Sequence, residues 1–110
     1  MFDRFLEAQN PIYDRALKEL RNGHKETHWM WFIFPPLKGL GTNPMSLHYA
    51  IKDENQTKEY WDPPILGERL RECFALIENS GKTPEQIFSP IYAMKYRSCK
   101  TLFGHFYTVK

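Results

Sequence analysis

The chain has 110 residues, enough for one domain with a core of its own and too few for two. Its 42% hydrophobic and 25% charged residues exclude a disordered chain, and a net charge of +2 excludes the strong field of a non-specific nucleic-acid binder. At 15%, the aromatic residues put unusual weight on ring packing.

In chain order, Met1-Phe2-Asp3-Arg4-Phe5 mixes an acid and a base with no long apolar run, so neither a signal peptide nor a membrane span is expected. Asn10-Pro11 reads as a helix start, and Tyr13, Ala16, Leu17 and Leu20 continue at helical spacing to a stop at Asn22-Gly23, predicting a helix over roughly 11–22. Thr27 is placed to cap the run His28-Trp29-Met30-Trp31-Phe32-Ile33-Phe34, which Pro35-Pro36 ends. Read as a helix, that run is apolar nearly all round. It is then a buried central element, a wall of a ligand pocket, or both.

The loop Lys38-Gly39-Leu40-Gly41-Thr42-Asn43 precedes a helix start at Pro44-Met45-Ser46. Its glycines and lysine suit a phosphate, but it is neither a Walker sequence nor a dinucleotide fingerprint, and it also reads as a simple turn. Asp53 caps a short helix through Tyr60, which Asp62-Pro63-Pro64 interrupts. Leu66, Leu70, Cys73, Phe74 and Ile77 form the cleanest amphipathic stripe, expected to bury Leu70, Phe74 and Ile77 against the aromatic run before Asn79-Ser80-Gly81 ends it. Thr83-Pro84-Glu85-Gln86 is a capping box for a short helix to Phe88, and Ser89-Pro90 opens the last helix. There Ile91, Met94, Leu102 and Phe106 line one side, expected to be the apolar one, while Arg97, Lys100 and Gly104 share another. No strand-like alternation or hairpin signal occurs. The expected fold is all-α, a single compact domain over 1–110 with about five to seven short helices.

Chemistry is harder to read. From Ser89 onward no acid occurs, while Lys95, Arg97, Lys100, His105 and Lys110 are basic or titratable; Arg97 and Lys100 on one helical face suit a phosphate clamp, or form a solvated face favoured by the helix dipole. Among the acids Glu7, Asp14, Glu26, Asp53 and Glu72, no pair has the spacing of a general acid/base couple. His24 and His28 stand four apart without a third ligand. Cys73 and Cys99 lie far apart without metal-ligand spacing, which argues against zinc and fits the cytoplasm. No metal and no cofactor are expected.

The order of these pieces resembles a small bacterial family of all-helical proteins of unknown function, some of which are labelled calpastatin. The resemblance runs through Arg4-Phe5-Leu6-Glu7-Ala8-Gln9, Tyr13-Asp14, His28 to Pro35, Gly39-Leu40-Gly41, Tyr49-Ala50-Ile51, Leu66-Gly67-Glu68-Arg69-Leu70 and Lys95-Tyr96-Arg97-Ser98. It implies an all-α single domain and carries over no activity. Members continue past the equivalent of Thr101-Leu102-Phe103, so this chain is expected to be shortened at its C-terminus. Phe103, Phe106 and Tyr107 would then form an open apolar patch, for which a homodimer is the simplest cover. A fainter similarity, in the aromatic segment, the stretch Ser46 to Tyr49 and the late basic helix, is to helical proteins that process ADP-ribose-type N-glycosides. Leu47 stands where those have a glutamate.

The expected function is binding of a nucleotide-like small molecule, an ADP-ribose derivative or a cyclic nucleotide signal, between the aromatic run and the last helix. Trp31 or Trp29 would stack on the base, His28 and Tyr49 would meet ribose hydroxyls, and Lys38, Arg97 and Lys100 would meet phosphates. The alternatives are a hydrolase acting on the same ligand class and a protein-interaction module without a small ligand. Neither a membrane nor a specific nucleic acid is expected as partner.

Overall fold

A computed structural model describes residues 2–38, 44–62 and 64–104, apart from the side chain of Ser46. These residues form eight helical segments: α1 (Asp3–Gln9), α2 (Tyr13–Arg21), α3 (Met30–Ile33), α4 (Pro44–His48), α5 (Glu54–Trp61), α6 (Leu66–Glu78), α7 (Pro84–Ile87) and α8 (Pro90–Phe103). The all-α expectation holds. An isolated parallel bridge between Leu37 and Ile51 is the only extended pairing among the described residues; there Ile51 N–H donates to Pro36 O at 2.7 Å and Lys38 N–H to Ile51 O at 2.8 Å. It closes the two ends of the glycine-loop and α4 excursion, although residues 39–43 themselves lie outside the described residues.

Local signals set most helix ends. The Asp53 carboxylate accepts from Gln56 N–H at 2.9 Å, Thr83 and Gln86 complete the reciprocal capping box, and the Ser89 hydroxyl caps α8 with Pro90 in the first turn. Gly23 leaves α2 at φ +73°, a conformation that glycine adopts without strain.

Two boundaries differ from the sequence reading. Asn10 ends α1 in helical conformation instead of starting α2, and Pro11 occupies the turn in which Ile12 N–H donates to Gln9 O at 3.0 Å, so α2 begins at Tyr13. The aromatic run is helical over only four residues, because the chain before it is held in a bend by hydrogen bonds to Glu19.

The core is a ring assembly. Phe34 stacks on Phe74 with centroids 5.9 Å apart and meets Tyr96 edge-on at 5.2 Å; Tyr60 meets Phe5 and Phe103 at 5.1 and 5.4 Å. Leu70, Phe74 and Ile77 are buried, as their stripe predicted.

α8 is turned the other way from the expectation. Ala93, Tyr96, Cys99 and Phe103 face the core, whereas Ile91 and Met94 are 67% and 69% exposed. Small residues at 93 and 99 let the helix approach closely and Tyr96 and Phe103 fill the ring assembly, so packing outweighs the larger aliphatic content of the opposite stripe. Phe103 is thus core and contributes nothing to an open apolar patch; Phe106 and Tyr107 lie outside the described residues.

Candidate functional site

The site residues read from the sequence fall into three places. At the entry to α3, His28 lies exposed in a bend before the helix. Trp29 is 1% exposed, its indole N–H donating to Glu19 Oε1 at 3.0 Å and its ring edged by Phe34 and Phe88. A ligand does not reach that ring without opening the core. Trp31 is half-buried and meets Tyr92 edge-on at 5.9 Å, and its buried indole N–H finds no acceptor among the described residues.

Glu19 organises this corner, and the sequence reading missed it. The carboxylate sits 5% exposed at the end of α2 and accepts from Glu26 N–H at 2.7 Å, Thr27 N–H at 2.9 Å, the Thr27 hydroxyl at 2.6 Å and the Trp29 indole. Burial acts to raise its pKa, but those donors together outweigh it and hold the carboxyl down at about 2. Thr27, expected to cap α3, spends its hydroxyl here instead. Lys25 lies beside the knot, 4.4 Å from the Tyr92 ring centre and 5.1 Å from that of Trp29; burial lowers its pKa, against the attraction of Glu19. Every Glu19 oxygen is satisfied by the fold, which makes this a structural knot with no spare group for chemistry.

The second place is the far side of α3. Tyr49 packs between Phe5 and Phe32, with centroids at 5.5 and 5.4 Å. Arg4 holds the same region by donating to His48 O at 2.8 Å and Ala50 O at 3.2 Å. Lys38 is exposed at the bridge.

Arg97 and Lys100 share the third place, a cleft of about 290 Å³ between α6, α7 and α8. Ile77, Tyr96 and Pro84 form its apolar wall, and Lys82, Arg97, Lys100 and Glu78 its polar rim. Although α8 carries no acid, neighbouring elements supply them. Arg97 forks onto Glu85, one of the two contacts being 2.8 Å, and Lys100 pairs with Glu78. The Arg97 guanidinium holds the Glu85 carboxyl at about 2, and the carboxylate raises Arg97 in return. Burial lowers the Lys100 pKa. Lys82 reaches across to Gly23 O at 3.2 Å. No sequence spacing marks Lys82, Glu78 or Glu85 as members of this group.

A fourth polar cluster joins α1, α2, α3, α5 and α6. Buried Gln9 donates to Phe32 O at 2.6 Å and to the Tyr60 hydroxyl at 3.0 Å, and accepts from Arg69 at 3.2 Å; Tyr13 donates to Glu72 at 2.6 Å. Among the described residues no three His, Cys, Asp or Glu converge on a point suited to a metal ion, and no helix is long and apolar enough to cross a membrane.

This all-helical arrangement is that of a family described only as a protein of unknown function, DUF1810, whose profile matches residues 1–109; the chain belongs to that family. Among solved structures it is similar to the conserved hypothetical protein Rv1873 from Mycobacterium tuberculosis, with 41% sequence identity and a TM-score of 0.90 over 94% of this chain and 74% of that one. No curated protein matches the chain.

Proposed function

We propose that this protein binds a nucleotide-like anionic small molecule, such as an ADP-ribose derivative or a cyclic nucleotide signal, with its phosphate groups in the cleft between α6, α7 and α8. One observation carries the reading: Lys82, from the connection between α6 and α7, comes to one rim with Arg97 and Lys100, which stand three apart on α8. The Arg97–Glu85 pair is about half exposed, 51% and 48%, and water screens such surface pairs, so a phosphate can exchange for Glu85 on the guanidinium. Lys100 and Glu78 are less exposed and stay together. Trp29 drops out as a stacking partner because its ring is inside the core. The two carboxylates at this rim, Glu78 and Glu85, are each paired with a cation, Lys100 and Arg97, which favours binding over an acid/base hydrolase. A cytoplasmic location goes with these ligands and with two buried thiols.

Calorimetry against inorganic phosphate, ADP-ribose, its cyclic isomers, NAD and cyclic dinucleotides tests the reading, with turnover followed by chromatography. Binding should weaken with added salt and in Arg97→Lys, which keeps the charge but loses the fork. Product formation would convert the binder into a hydrolase. No heat with any compound ends the proposal.

A further inference from the structure

We propose that the outer face of α8, with Leu37 beside it, is a docking groove for an acidic amphipathic helix of another protein. Ile91 and Met94, the two most exposed large apolar side chains of the helix at 67% and 69%, continue into Leu102 across the small exposed Ser98 and Thr101. Their spacings of three and four residues align them along about three turns, roughly 17 Å at 1.5 Å per residue. Leu37 forms the far wall of a depression of about 330 Å³ with Ser98, Thr101 and Leu102. Large anchors at one end and small residues at the other are the relief into which a partner helix sets its own side chains.

Charge selects the partner. On the helical wheel Lys95 flanks one edge of the stripe; on the other, where Arg97 is already forked onto Glu85, exposed Lys38 follows Leu37. No acid lies between Ser89 and Phe103, and Glu85 answers Arg97 alone. A second copy of α8 would bring lysine against lysine. An acidic helix meets both edges with opposite charge. A lipid surface fits less well, because α8 is held in the core through Ala93, Tyr96, Cys99 and Phe103 and a flat bilayer does not fill a depression walled by Leu37.

The experiment is selection of helical peptides of about four turns from a random displayed library, panned on the full chain with the Met94→Glu protein as counter-target. Expected winners carry apolar residues three and four apart flanked by Glu and Asp. They should lose at least about tenfold in affinity against Met94→Glu and Lys95→Glu, and shift amide resonances only in α8 and around Leu37. Met94 is exposed, so its variant should fold; a circular dichroism melt checks this, and Ile91→Asp replaces it if the melt moves. The proposal is overturned by no enrichment, by winners lacking acidic flanks, or by resonance shifts elsewhere. A homodimer that Met94→Glu dissociates would assign the face to a second copy, and phosphatidylglycerol vesicle binding lost in that variant would assign it to a membrane; either result also overturns it.

Discussion

Replacing Glu19 by Gln tests whether a single buried carboxylate sets the entry to the aromatic run. Gln preserves the shape and one carbonyl acceptor, but removes the charge to which two backbone N–H groups, a hydroxyl and an indole N–H are aimed. A carboxyl that titrates at about 2 in the fold and at 4.5 unfolded favours the native state by about 3 kcal/mol at neutral pH. The sign follows from the lowered value. The contribution is fully present above pH 4.5 and is lost as pH falls through the window down to about 2. Glu19→Gln should therefore cost about 3 kcal/mol at pH 7, and its stability should no longer carry this share of the acid loss. Glu19→Ala should cost more, since each buried donor left without an acceptor adds about 1–3 kcal/mol.

Urea titration of both proteins at several pH values between 7 and 2.5 makes the comparison, and the difference between the two curves cancels other carboxyls, including Glu85. A Gln variant within about 0.5 kcal/mol of wild type at pH 7, or a curve parallel to wild type through the acid window, would refute the assignment of Glu19 as the organiser of this corner.

Three further outcomes follow from the packing. Phe74→Ala, removing a fully buried ring stacked on Phe34, should cost about 3–5 kcal/mol by denaturant titration, and a loss below about 1 kcal/mol would place that ring outside the core. Gly67→Ala would put a Cβ 1.9 Å from the Trp61 carbonyl oxygen, a backbone atom that cannot step aside, so its thermal melt should fall far more than that of Gly81→Ala, where the added carbon meets nothing and only the φ of +76° is strained. Burial pushes Cys73 up to about 12 and Cys99 well above its ordinary value, so neither thiol should react with Ellman's reagent at pH 8 until urea unfolds the chain; rapid labelling of the native protein would contradict their placement.

What the sequence made readable was local. The caps at Asp53, Thr83 and Ser89 act within a few residues, and the α6 stripe points to the core because its apolar residues fall on one side and charged residues on the other. The aromatic run misled for a tertiary reason. Nothing near Thr27 announces that a carboxylate eight residues upstream will take its hydroxyl and its N–H, bending the chain and shortening the helix. The rim cations behaved similarly. The acid-free stretch after Ser89 is real, yet Arg97 finds its carboxylate on α7 and Lys100 finds one at the end of α6, so segment charge does not measure the charge at the site.

The reversed orientation of α8 connects that lesson to function. Two stripes compete on this helix: Ile91, Met94 and Leu102 have the greater aliphatic weight, while Ala93, Tyr96, Cys99 and Phe103 have the shape that fits against Phe34, Phe74 and Tyr60. Burying the second leaves Ile91 and Met94 of the first in water, and the stabilisation of about 25 cal/mol for each Å² of apolar surface that burial would give is not gained there by folding alone. Basic residues at both edges keep such a stripe soluble without covering it. A helix that is apolar on two sides has a surface for two contacts, one with the core and one with the partner proposed above, and with Arg97 and Lys100 answered by Glu85 and Glu78 it is Lys95 and Lys38 that favour an acidic one.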